Sequence, residues 1–327
     1  MIRFHQKITT LAVLTVALCA TNHSVAQSSD YPNKPIRLVI GFTPGGSTDT
    51  VGRQLANSFS KILGQSVIVE NKPGANGNLA TDAVRRAAPD GYTIFYTSIG
   101  HVTNPLIYKD AKYDPVKDFT PIGQVLAGPN VLVVPGNSKF KTLQDLIDYG
   151  RANPGKINFA SSGIGSSVHL SGELFKQLSG VDMVHIPYKG SGNLLPHLIA
   201  GTVDLAFPNL PTGVALAEQG QLRALGVTTS TRSNAAPNIP TIAEAGVPNY
   251  DMSTWYGLVG PANMPADVQK KLSNALLQTV NAPEFKERLI AQGMDPRAST
   301  PQEFAKFIDA ESVRWSGILK GMDFKEN

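Results

Sequence analysis

Two short segments combine glycines with hydroxyl side chains in a way suited to holding an anion. Gly41-Phe42-Thr43-Pro44-Gly45-Gly46-Ser47-Thr48-Asp49 follows the apolar run Ile36–Ile40 and precedes a helical pattern of Val51, Leu55, Phe59 and Leu63. Ser161-Ser162-Gly163-Ile164-Gly165-Ser166-Ser167 stands between a strand-like stretch at 156–160 and a helical stretch from about Val168 to Leu178 that stops at Gly180. A turn from a strand into a helix leaves backbone N–H groups unpaired, with the positive end of the helix dipole behind them. Gly45 and Gly46 allow close backbone approach, Pro44 fixes the turn, Ser47 and Thr48 add hydroxyls, and Phe42 can wall a pocket. The plainer reading makes Asp49 an N-cap or first-turn residue and the serines ordinary caps. Two such loops favour a cleft in which facing open sheets present helix N-termini to one small anion.

Other chemistries find less support. Neither loop has the Gly-Lys-Ser/Thr of a phosphate-binding loop, and Gly163-x-Gly165 meets Val168 where a third glycine is required. No G-x-S-x-G occurs, so a serine hydrolase would have to rely on Ser166 and His169, three residues apart at a helix start. His101, His169, His185 and His197 are too scattered for a metal pattern, and no metal or cofactor is expected. Strand ends add Ser98 with His101, and Pro208 with Asn209, as further cleft candidates. Trp255 and Tyr256 read as core or hinge-flanking aromatics.

The elements that would position these residues belong to a large globular chain. Of 327 residues 42% are hydrophobic and 17% charged, with 30 glycines and 23 prolines. That excludes a disordered chain and allows a substantial core. A formal net charge of +4 without a Lys/Arg run gives no sign of nucleic-acid binding. Arg3 and Lys7 precede a largely apolar stretch from Ile8 to Ala20, and Ser24-Val25-Ala26 offers a cleavage site, so residues 1–26 read as a signal peptide cleaved after Ala26. Its removal takes away the only cysteine, Cys19, and with it any disulfide or thiolate chemistry. The pattern of strand, loop and helix continues as α/β, and Gly128-Pro129-Asn130 before Val131–Pro135 marks a change of sheet. Two helices near 265–279 and 301–319 close the chain.

FTPGGSTD at 42–49, ENKPGANG at 70–77, PDGYT at 89–93 and SSGIGSSVHL at 161–170 resemble the Bug family, the extracytoplasmic solute receptors of tripartite tricarboxylate transporters. VHIPYKGSG at 184–192, AGTVDLAF at 200–207 and WYGLVGPANMP at 255–265 extend the resemblance over nearly the whole exported chain. It implies an α/β type II periplasmic binding protein: two α/β domains, residues 27–128 plus 249–327 and residues 129–248, with the ligand cleft between them. It also implies a non-catalytic periplasmic receptor that delivers a small carboxylate, whether di- or tricarboxylate, aromatic acid or amino acid, to large and small membrane permease subunits. By the same resemblance Gly45, Gly46, Ser47, Ser162, Gly163, Gly165 and Ser166 hold the carboxylate, beside Thr43 and Pro44 of the same loop. Asp49 orients the first loop or meets a ligand amino group, His169 braces the second loop, and Phe42, Ser98 and Asn209 set ligand choice. The alternatives are an exported hydrolase and a ligand-sensing receptor feeding a signalling system.

Overall fold

The computed structural model describes residues 31–320, so the stretch read as a signal peptide lies outside them. Strand β1 (Ile36–Ile40), helix α1 (Ser47–Leu63) and strand β2 (Val67–Asn71) form the expected parallel unit, with Ile36 opposite Val67 and Ile40 opposite Asn71. Val51, Leu55 and Phe59 bury one face of α1 against the sheet. The helix stops at Gly64, whose left-handed φ of 67° lets its N–H reach the Ser60 carbonyl. Helix α2 (Asn78–Arg85) leads to β3 (Thr93–Ser98), parallel to β1 on its other side.

Helix α3 (Gly100–Ile107) and the long strand β4 (Phe119–Pro129) follow, and the chain then crosses to a second sheet at β5 (Val131–Pro135). There it builds α4 (Leu143–Ala152), β6 (Ile157–Ser161), α5 (Ser167–Ser179), β7 (Met183–Pro187), α6 (Ser191–Ile199), β8 (Leu205–Ala206), α7 (Leu210–Glu218) and β9 (Leu222–Val227). It returns through β10 (Ser253–Pro261) and ends with α8 (Ala266–Asn281), α9 (Pro283–Ala291), β11 (Asp295–Pro296) and α10 (Pro301–Ile318).

The sheets run β11-β4-β10-β3-β1-β2 and β7-β6-β8-β5-β9. Apart from β11 they share one plan: a parallel group of three strands, then an antiparallel strand arriving from the other sheet, then one more strand. This exchange of strands β5 and β10 is the two-lobed α/β arrangement the sequence led us to expect. Asn130, at the first crossing, is fully buried. Its N–H donates to Thr228 Oγ1 at 2.8 Å, and Thr228 N–H donates to its carbonyl at 3.0 Å, so the two crossing segments are bonded to each other.

Several elements escaped sequence reading for local reasons. Helix α3 contains Gly100 and Pro105, and β4 contains Pro121, Gly123 and Gly128, so neither follows ordinary propensity. Helix α9 begins with Pro283 almost directly after α8. Strand β7 was also not read, and β8 has only two residues.

Candidate ligand-binding site

A small cavity of about 40 Å³ lies where the loops of the two sheets meet. It has room for roughly three water-sized spheres. Five residues that precede helices line it: Gly46 before α1, Ile99 before α3, Ser166 before α5, Gly190 before α6 and Asn209 before α7. Where two helix starts were expected, five converge. Each start carries unpaired N–H groups and a partial positive charge. None of the described residues lining the cavity is charged.

Of the residues singled out in sequence, Phe42, Thr43, Gly46, Ser98, Ser162, Ser166 and Asn209 line the cavity. Ser166 caps α5: its Oγ accepts from His169 N–H at 3.2 Å and donates to the Gly163 carbonyl at 2.7 Å. Asn209 donates from Nδ2 to Asn130 Oδ1 at 3.1 Å, which fixes the start of α7 to the strand crossing.

Pro44, Gly45, Asp49, Gly163, Gly165 and His169 do not line it; they shape the loops from behind. Ser47 opens α1, and its side chain lies outside the described residues. Asp49 is buried and fully engaged: Oδ2 accepts from Gly45 N–H at 3.0 Å and Arg53 Nε at 2.9 Å, while Oδ1 accepts from Asn71 Nδ2 at 2.9 Å. Burial disfavours its charge, but the bonds from Arg53, Asn71 and Gly45 outweigh that and hold its pKa below the ordinary value. Asn71 also donates to the Phe42 carbonyl at 3.0 Å, so Asp49 and Asn71 together tie the first loop to β2. That leaves Asp49 behind the loop, away from any ligand amino group.

The second loop is braced in the same indirect way. Gly165 N–H donates to His169 Nδ1 at 3.0 Å, and Gly163 N–H donates to Ser161 Oγ at 3.1 Å, which in turn lies 2.6 Å from His185 Nε2. The two imidazoles stack with centroids 4.0 Å apart. Burial holds both below the ordinary histidine pKa, His185 at about 4. These bonds also dismantle the proposed Ser166–His169 pair. Ser166 Oγ donates to a backbone carbonyl, His169 Nδ1 accepts from a backbone N–H and Nε2 faces Glu173 Oε1 at 3.7 Å, so the histidine is not placed to act as the serine's base. His101 is buried away from the cavity, with Nε2 bonded to the Pro115 carbonyl at 2.8 Å.

Sequence reading missed Thr48, Asn76, Ile99, Ser167, Val168, Gly190, Ser191, Gly192, Thr254 and Tyr256 as lining residues. Thr48 and Ser167 had been noted only as loop hydroxyls. Gly190-Ser191-Gly192 repeats the glycine–serine signal of the other two loops between β7 and α6, and could have been found on that ground. Gly190 has φ 108°, and a Cβ there would sit 3.1 Å from Thr43 Oγ1 of the opposite lobe. Tyr256, expected in the core or beside a hinge, lines the cavity because the antiparallel register sets it opposite Ser98 at the end of β3. Thr48 Oγ1 donates to its hydroxyl at 3.1 Å. Trp255, on the other face of β10, is a core residue whose Nε1 donates to Glu311 at 3.0 Å.

Comparison with known proteins accounts for this arrangement. Residues 51–324 match the model of the tripartite tricarboxylate transporter family receptor. The chain belongs to that family. It is 34% identical over 317 residues to the Bordetella pertussis protein BugT, covering 95% of this chain and 96% of BugT. An R. palustris protein solved with adipate superimposes with a TM-score of 0.86 at 37% identity, covering 89% of this chain and 98% of the other. MatC of the same organism, solved with bound malate, gives 0.83 at 30%, covering 88% and 100%. The receptor therefore shares the periplasmic binding protein fold across essentially all of its described length, and its five-helix cavity lies in a family of solute receptors. Among the described residues no helix is long and apolar enough to cross a membrane.

Proposed function

We propose that this receptor is exported to the periplasm, captures a small carboxylate between its two lobes and presents it to the large and small permease subunits of a tripartite tricarboxylate transporter. The observation that carries this reading is the convergence of five helix starts on one cavity with no charged side chain among the described residues that line it. Such a site meets an anion with fixed backbone N–H groups and hydroxyls, which need little reorganisation when the ligand enters. The adipate and malate bound by the two R. palustris relatives support the same ligand chemistry.

In this reading the lobes comprise residues 27–128 with 249–327, and residues 129–248, and they hinge at the bonded crossings beside Asn130. Ser162, Ser166, Gly46 and the backbone around them hold one carboxylate, while Gly45, Gly163, Gly165, Asp49 and His169 set the loops. Phe42, Ser98 and Asn209 bear on the rest of the ligand. The protein acts by binding and closure and carries out no catalysis.

Thermal unfolding of the refolded, ligand-stripped protein against a panel of di- and tricarboxylates, hydroxy acids, amino acids and aromatic acids tests this reading. Binding to the native state raises the midpoint. A selective rise with a carboxylate is expected; a flat response to the whole panel refutes the carboxylate assignment.

A further inference from the structure

The cavity's polar atoms also bear on which carboxylate enters. Thr254 is almost fully buried and lines the cavity, yet its Oγ1 makes no hydrogen bond of good geometry, although the Tyr256 hydroxyl is nearby. Asn76 lines the same cavity. The network around it fixes which way its amide faces: Asn104 Nδ2 donates to the Asn76 carbonyl at 3.2 Å, so Asn104 Oδ1 accepts from Asn76 Nδ2 at 3.0 Å. Asn76 Oδ1 is left buried with no donor. An amide oxygen can only accept, and a buried one without a partner costs free energy that a donor on a ligand would recover.

Resting on the carboxylate reading above, we infer that the receptor's ligand is a carboxylate bearing a hydroxyl group, and that the site discriminates against the corresponding amino acid. A hydroxyl needs one acceptor and offers one in return, which suits Asn76 Oδ1 together with Thr254 Oγ1. An ammonium group needs several acceptors and a counter-charge. No acidic side chain among the described residues lines the cavity, and Asp49, the carboxylate behind the first loop, has both oxygens occupied by Gly45, Arg53 and Asn71. The five helix starts present positive ends to whatever enters. An ammonium would meet Asn76 Oδ1 and hydroxyl oxygens but no counter-charge to offset its lost hydration, whereas a neutral hydroxyl carries no such penalty.

Paired ligands differing at one group test this: malate against aspartate, 2-hydroxyglutarate against glutamate, and lactate against alanine, with succinate as the deoxy reference, each titrated calorimetrically into ligand-stripped protein. In any pair that binds, the hydroxy acid is expected to be tighter by about a hundredfold or more, the effect of leaving a charge unpaired. The hydroxy acid should exceed its deoxy analogue by about tenfold. Thr254→Val should lower the ratio of hydroxy-acid to deoxy-acid affinity, measured within the same variant, to near one. Asn76→Asp introduces a carboxylate at a left-handed position that aspartate tolerates, and should shrink the hydroxy-over-amino ratio by tenfold or more. An amino acid binding within tenfold of its hydroxy partner overturns the inference while leaving the carboxylate reading intact, as do ratios unmoved in both variants. Binding of no carboxylate at all refutes the parent reading and this inference with it.

Discussion

The Tyr108 hydroxyl, just beyond α3 of the first lobe, donates to the carbonyl of Ile164 in the second glycine–serine loop at 2.8 Å. A second bond joins the same two segments, since Thr103 Oγ1 donates to the Gly165 carbonyl at 3.2 Å. Gly165 sits so close to this lobe that a Cβ would fall 2.9 Å from Ile107 and 3.2 Å from Asn76 Nδ2. Both bonds therefore tie the α3 region to the second loop without touching the cavity. Tyr108→Phe should remove one of them and speed ligand release by roughly threefold to tenfold, the worth of a single neutral hydrogen bond. Because the lost bond lies outside the cavity, the ranking of ligands should not change. Stopped-flow dissociation of two ligands of different affinity checks this; a changed ranking would mean that Tyr108 contacts the ligand.

Asp49 gives the opposite kind of test, because it shapes the first loop without lining the cavity. Asp49→Ala strands the Gly45 N–H, leaves Arg53 only its bond to Asn71 Oδ1 at 3.0 Å and solvent, and cuts one of the two ties to Asn71. The loop would then lose its fixed presentation of Gly46 to the ligand. Affinity for every carboxylate is expected to fall by about ten- to a hundredfold, in equal proportion, while Ser98→Ala and Phe42→Leu change the ranking instead. Calorimetric titration of three unlike ligands into each variant decides the point. A selective loss in Asp49→Ala would place its carboxylate in direct contact with the ligand.

Much of this was legible because it depends on chain-local chemistry. Strand β1, the Gly45-Gly46 loop and α1 with its Gly64 stop announce themselves through apolar spacing and glycine position, and so do β6, the 161–167 loop and α5. The first change of sheet was visible in Gly128-Pro129-Asn130. Thr254 and Tyr256 were not legible, because alternation along β10 marks two faces without saying which one meets Ser98. Only the β10–β3 register supplies that. Asn76 was hidden for another reason: its left-handed φ of 51° arises in a short turn whose meaning depends on Asn104, distant in sequence. Local pattern thus located the loops, and long-range pairing determined which of their residues faced inward.

Buried histidines should make the protein acid-sensitive. Burial, partly offset by the bond to Pro115, holds His101 at about 4, and burial together with the Lys176 charge does the same for His185. His169 is lowered too, by burial first and then by its neighbours His185 and Lys176. In the unfolded chain each would take up its proton near the ordinary value of about 6.5. From about 6.5 down to 4 the unfolded state binds more protons, so stability falls as pH drops through that range. The fully buried His101 alone corresponds to a loss on the order of 3 kcal/mol. Unfolding midpoints measured from pH 7 to 4 should decline, and His101→Gln should flatten the decline. A flat curve for the unaltered protein would mean that these imidazoles are not held neutral.

Gly46 allows the cavity to be blocked without disturbing the fold. It precedes α1 with φ −79° and ψ 168°, an extended conformation open to any residue. A Cβ there would meet nothing within 4 Å. Gly45, by contrast, has φ 86°, where a side chain is strained whatever the space around it. Gly46→Val should therefore keep the ligand-free unfolding midpoint close to that of the unaltered protein, because no core atom is displaced, while adding an isopropyl group at a residue that lines a cavity of only about 40 Å³. Ligand-induced stabilisation should disappear for all carboxylates, since Gly46 is proposed to belong to the group that holds the carboxylate. Gly45→Val is expected to lower the ligand-free midpoint as well, because it imposes backbone strain of about 1–3 kcal/mol. Comparing the two variants with and without ligand separates blockage of the site from damage to the loop. Retained binding in Gly46→Val would remove Gly46 from the anion-holding group.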